Sequence, residues 1–164
     1  MKATDLVLTP THLRFLGQKF PCSIGKGGIS SEKREGDGAR PRGTQRIVGM
    51  LYRADRIVQP NAWAQPILPG DLWSDDPNHD DYNLMVRAPY PFSHENLRRA
   101  DPLYNLVILT DWNWPNAEKG RGSAIFIHRW RKPGHPTEGC IAFRPRDLVW
   151  IAQRVTDQTR LIVK

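Results

Sequence analysis

Long apolar runs are missing from this 164-residue chain. None approaches the roughly 20 residues that a membrane-spanning helix needs, so no membrane span is expected. No apolar stretch of about 7–15 residues follows Lys2, so no secretory leader is expected in this chain either. Cysteine is scarce, with only Cys22 and Cys140. Small disulfide-stapled folds usually carry about four or more. No Cys-x-x-Cys occurs, and the five histidines do not pair at metal-ligand spacing. No metal site is therefore expected. Blocks of like charge are also absent. Lys33-Arg34, Arg98-Arg99 and Arg131-Lys132 are short and scattered, which argues against a basic nucleic-acid tail.

What is present is a positive balance and many turn formers. The net charge is +7, which favours an anionic partner through long-range attraction. Nucleic acid, anionic lipid headgroups and an acidic cell-wall polymer satisfy that charge equally. Fourteen prolines and thirteen glycines suggest a loop-rich, mostly β chain. The length fits one domain with one core, over residues 1–164.

Short strands are expected at Asp5 to Thr9, His12 to Phe15 and Phe20 to Ile24. Residues 25–43 form a long polar loop, and strand-like patterning returns from Gln45 to Val58. Residues 59–102 are irregular but contain aromatics that can dock them over the sheet as an excursion. Ser93 resembles a helix N-cap, with a short helix expected over Glu95 to Arg99. Leu103 to Thr110 and Ser123 to Ile127 read as buried strands, the latter ending at His128. Pro145 to Arg154 is the clearest helix, with proline at its start, and Leu161 to Val163 is a closing strand.

The segment from Ile125 to Phe143 carries the chemistry. A strand delivers His128, a loop follows, and Thr137-Glu138-Gly139-Cys140 leads into Ile141-Ala142-Phe143. Glycine before cysteine permits a sharp turn and a close approach of backbone to substrate. N–H groups at such a turn, those of Gly139, Cys140 and Ile141, can face a developing oxyanion. A thiol is mostly protonated at neutral pH and needs a base, for which His128 is the candidate. A cysteine between apolar residues is equally a small core residue, and a histidine ending a strand is often structural. Composition and spacing leave both readings open.

The pattern His128, spacer, Thr137-Glu138-Gly139-Cys140 and a short apolar strand resembles the YkuD-type L,D-transpeptidases. Glu138 stands where that family has a second histidine, Ala142 where arginine is common, and the spacer is somewhat short. Lys33-Arg34-Glu35-Gly36-Asp37-Gly38 and Pro41-Arg42-Gly43 resemble a further family segment, with Arg40 in place of its usual threonine. Trp73-Ser74-Asp75-Asp76-Pro77, Ser93-His94-Glu95 and Leu103-Tyr104-Asn105 look like a compact proteobacterial branch associated with 1,3-type crosslinks.

The resemblance implies a mostly β, sandwich-like catalytic domain with one or two short helices, the 59–102 excursion covering the cleft. It implies Cys140 as nucleophile, His128 as base and Gly139 at the oxyanion turn. It implies Thr137, Arg129, Arg131, Arg40 and Tyr104 as the substrate-binding set and no cofactor; surface solubility explains each of the three arginines about as well, and strand alternation would aim Arg129 and Arg131 at one ligand. His135 is expected only in a flexible spacer, His94 and Glu95 as anchors of the excursion, and Cys22 as a structural thiol. Peptidoglycan stem peptides would be the partners, in the periplasm or cell envelope, without nucleic acid. The same site with water as acceptor would be an L,D-carboxypeptidase or endopeptidase. A non-catalytic basic glycan-binding module is the rival from another class.

Overall fold

A computed structural model describes all 164 residues. The chain is mostly β. Its main sheet comprises β1 (Leu6–Leu8), β2 (His12–Phe15), β3 (Gln18–Ser23), β6 (Gly43–Tyr52), β7 (Gln65–Pro66), β11 (Leu106–Thr110), β12 (Ile127–Arg129), β13 (Ile141–Phe143) and β14 (Arg160–Val163). Their order is β11-β12-β13-β3-β2-β1-β14-β6-β7, and β11 also pairs with β6. The ten-residue β6 makes this closure. Its first half pairs with β14 (Gln45 opposite Leu161) and its second half with β11 (Met50 opposite Ile108). Eight strands thus form a closed ring, which removes most exposed edges. The register shifts between Leu109 and Thr110, a bulge that lets one strand serve two neighbours.

Alternation along the strands separates two cores. Met50, Leu106, Ile108, Ile127 and Ile141 face the larger one, together with Leu148, Ile151 and Ala152 of the helix α1 (Pro145–Ala152). Leu51, Val107, Phe126 and Cys140 face the smaller one, with Trp73, Leu97 and Tyr104 from the excursion side. Being one residue out of step with Ile141 places Cys140 toward the excursion.

The excursion contains its own antiparallel sheet: β8 (Asp71–Ser74) lies between β9 (Met85–Arg87) and β10 (His94–Asn96). This corrects the helix expected over Glu95 to Arg99. Glu95 sits opposite Trp73 in the ladder, and the Ser93 hydroxyl donates to Asp75 Oδ1 at 2.6 Å instead of capping a helix. The strand expected from Ser123 is also shorter. Ala124 adopts φ 51° and gives its N–H to Asn83 Oδ1 at 3.0 Å, so pairing starts only at Ile127. Residues 25–43 are packed rather than loose. Lys33 and Arg40 are buried, and β4 (Ile29–Ser30) pairs with β5 (Arg40–Pro41). No helix is long and apolar enough to cross a membrane.

Candidate active site

The turn before Cys140 is fixed by backbone geometry. Gly139 has φ +128°, and a Cβ there would lie 2.8 Å from the Ala39 carbonyl oxygen. Thr137 holds the turn from inside: its hydroxyl donates to Cys140 O at 2.6 Å and accepts the Gly139 N–H at 3.3 Å. Its backbone is tied to the polar segment through Thr137 N–H to Ile24 O (3.0 Å) and Lys26 N–H to Thr137 O (2.8 Å). On the exposed rim, Glu138 pairs with Lys26 at 2.8 Å.

Cys140 Sγ sits among backbone groups. It donates to Ala124 O at 3.1 Å and accepts the Phe126 N–H at 3.3 Å. Burial pushes the thiol up to about 12, with the Glu95 charge adding to that; the Phe126 N–H, Arg40 and Lys33 pull the other way. The resting sulfur is therefore a protonated thiol. His128 is also buried. Its Nδ1 lies 2.7 Å from Arg129 O, and a carbonyl only accepts, so Nδ1 carries the proton and Nε2 is left as the unprotonated nitrogen. Burial pulls His128 down to about 4, which keeps the ring neutral at physiological pH. The pair is thus a thiol beside a neutral imidazole.

Parallel pairing sets Ile127 opposite Ile141 and His128 opposite Ala142. By alternation His128 shares the Phe126 face, the side toward which Cys140 also points. Both open on one cleft of about 470 Å³. Tyr104 stands beside them, its ring edge-on to His128 at 5.3 Å between centroids, its hydroxyl donating to Glu95 Oε2 at 2.5 Å. Arg99 lies over the Tyr104 ring at 5.2 Å. On the opposite wall Glu35 accepts from Tyr82 and from the Ser123 hydroxyl. The cleft lining therefore carries both signs: Arg99 and Arg131 as well as Glu35, Asp75 and Glu95.

Of the residues expected to contact substrate, Thr137, Arg131 and Tyr104 line this cleft. Arg129 does not, because β12 ends there and alternation turns it away from the His128 side. Arg40 is fully buried, so its expected contact with a substrate carboxylate is corrected. At the oxyanion turn the Gly139 N–H is engaged by Thr137, and the Ile141 N–H donates to Phe126 O at 3.0 Å. The Cys140 N–H has no protein acceptor and is the donor left for an oxyanion. His135 and Glu95, expected to stand apart from the chemistry, both line the cleft, as does Arg99. Cys22 is a free thiol on β3, away from this cleft. No group of three or more His, Cys, Asp or Glu side chains is arranged to hold a metal ion.

No curated protein matches the sequence. The family model described as the L,D-transpeptidase catalytic domain, YkuD, matches residues 12–163. That span runs from the start of β2 to the end of β14 and contains the whole cleft, so the chain belongs to the YkuD family of L,D-transpeptidase catalytic domains.

Proposed function

We propose that residues 1–164 form one catalytic domain that crosslinks peptidoglycan stem peptides through a thioester on Cys140. The family acts on peptidoglycan. The observation that carries the residue assignment is the shared opening of Cys140 and His128 on a cleft lined by both carboxylates and arginines. A stem peptide presents carboxylates and an ammonium group together, and Arg131 lines the cleft for the first, while Arg99 is engaged by Asp101 at 2.6 Å.

In the acylation step the thiol proton passes to His128 Nε2, and Sγ attacks the donor carbonyl. The Cys140 N–H faces the oxyanion. His128 then returns the proton to the leaving amine, and the C–N bond breaks to leave the thioester. In the second step an acceptor amine attacks the thioester, His128 takes a proton from it, and the thiolate leaves and is reprotonated. The resemblance of the Asp75, Glu95 and Tyr104 segments favours an L-alanine to diaminopimelate bond, the 1,3-type. The cell envelope is the compartment where this substrate lies.

Incubation with sacculi, followed by digestion and mass measurement of muropeptides, tests the reading. Crosslinked dimers carrying the 1,3 bond are expected with the parent protein and none with Cys140→Ala, which should stay folded. Substantial crosslinking by Cys140→Ala would sink the assignment. Shortened stems without dimers would mean that water is the acceptor.

A further inference from the structure

Arg40 is a cation buried without a counter-ion. Its side chain is wholly inaccessible. Nη1 donates to Phe126 O at 3.3 Å and Nη2 to Gln45 Oε1 at 2.5 Å, both neutral acceptors. Nε–H has no partner at all. Gln45 Nε2 donates to Pro41 O at 3.3 Å, which fixes its neutral Oε1 as the end that meets the guanidinium. Burying an ion this way is costly unless something repays it. Surface solubility cannot be the reason, because no part of the side chain meets water.

The surroundings show which group the charge faces. Arg40 follows Ala39, whose carbonyl packs against Gly139 of the nucleophile turn. Phe126 joins the two groups: its C=O accepts from Arg40 Nη1, and its N–H donates to Cys140 Sγ. The charge of Arg40 and that of an ionised Cys140 attract each other, and burial lowers Arg40 only to about 10, so it is protonated at neutral pH.

We propose that Arg40 is the resident counter-charge of the Cys140 thiolate, placed beneath the nucleophile to hold the anion that forms when the thiol proton passes to His128. The S–H bond breaks, its electron pair stays on sulfur, and Arg40 acts through its field without touching substrate. Other charges also face Cys140. Glu95 on β10 opposes the anion, Lys33 in the polar segment supports it, and Tyr104 and His128 face the same cleft while neutral. This inference rests on Cys140 being the nucleophile, but its test does not use the crosslinking reaction.

The test compares Arg40→Met and Arg40→Gln, which remove the charge, with Arg40→Lys, which keeps it, all in a Cys22→Ser background. Iodoacetamide, a small neutral reagent, is reacted with the folded proteins at one pH below the thiol midpoint. There its rate follows the thiolate fraction, and loss of one pK unit of stabilisation slows it about tenfold. The neutral variants are expected to react about tenfold slower or worse, and Arg40→Lys within about threefold of the parent, by that same relation. Thermal midpoints of the neutral variants should equal or exceed the parent, since an uncompensated buried charge has been removed. Parent-like alkylation in either neutral variant would overturn the proposal. Equal slowing in Arg40→Lys would also overturn it, because hydrogen-bond geometry rather than charge would then matter. So would failure of both neutral variants to fold while Arg40→Lys folds, since that would make Arg40 a structural ion. If Cys140 is not the nucleophile at all, crosslinking by Cys140→Ala reveals that separately.

Discussion

His128 and Cys140 are held neutral by the same burial, and this sets how the protein responds to pH. His128 is pulled below its ordinary value to about 4, so its neutral form persists from neutral pH down to that value. Peptide turnover at limiting substrate is therefore expected to hold steady on acidification through pH 6.5, the ordinary histidine midpoint, and to fall only near pH 4. A kcat/KM profile measures this, and an acid limb at the ordinary histidine value would mean that His128 is not the base. The residues in this chemistry differ in how plainly the sequence announces them. Cys140, His128, Gly139 and Thr137 stand within thirteen positions and carry a local pattern. Glu95 and Arg99 reach the same cleft from a distant irregular segment, where no spacing rule links them to Cys140. Arg40 misleads for a different reason: charged residues are rarely buried, and sequence gives no sign of which ones are.

At the scale of elements, the turn before Cys140 is tightly constrained backbone. Gly139→Ala would force a side chain into φ +128° and against the Ala39 carbonyl. The expected cost is about 2 kcal/mol or more of stability, in the range for such backbone strain. Chemical unfolding measures it, and a variant as stable as the parent would show that the turn is softer than its geometry. Alternation made most of the ring readable, because Leu6, Leu8, Leu13 and Phe15 already display the inward face in sequence. The β8–β10 sheet was not readable. Ser93 followed by Glu95 offers a local helix start, yet His94–Asn96 pairs with β8, and ladder pairing outweighs a short local preference. Ser123 to Phe126 looks like a strand by composition, but the positive φ of Ala124 reflects its bond to Asn83, which lies 41 residues away. That strained approach is what brings the Ala124 carbonyl to the thiol.

For the molecule as a whole, a net charge of +7 meets a proposed substrate that is an anionic polymer. Added salt screens such attraction over about 10 Å at 0.1 M. Activity on intact sacculi is expected to fall as salt rises, while iodoacetamide labelling of Cys140 stays constant. Salt-independent activity on sacculi would leave the charge with no part in docking. The closed ring carries a consequence for how the chain reaches this form. β14 is inserted between β1 and β6, pairing Leu6 with Leu161 in parallel and Gln45 with the same Leu161 from the other side. The ring therefore stays open until β14 is inserted. Until then β1 has only β2 beside it, and the first half of β6 lacks its β14 partner. Contacts so distant in sequence also make for slow folding. The turn before Cys140 leads into β13 of that same ring, so the cleft is expected to take its shape only once β14 is in place.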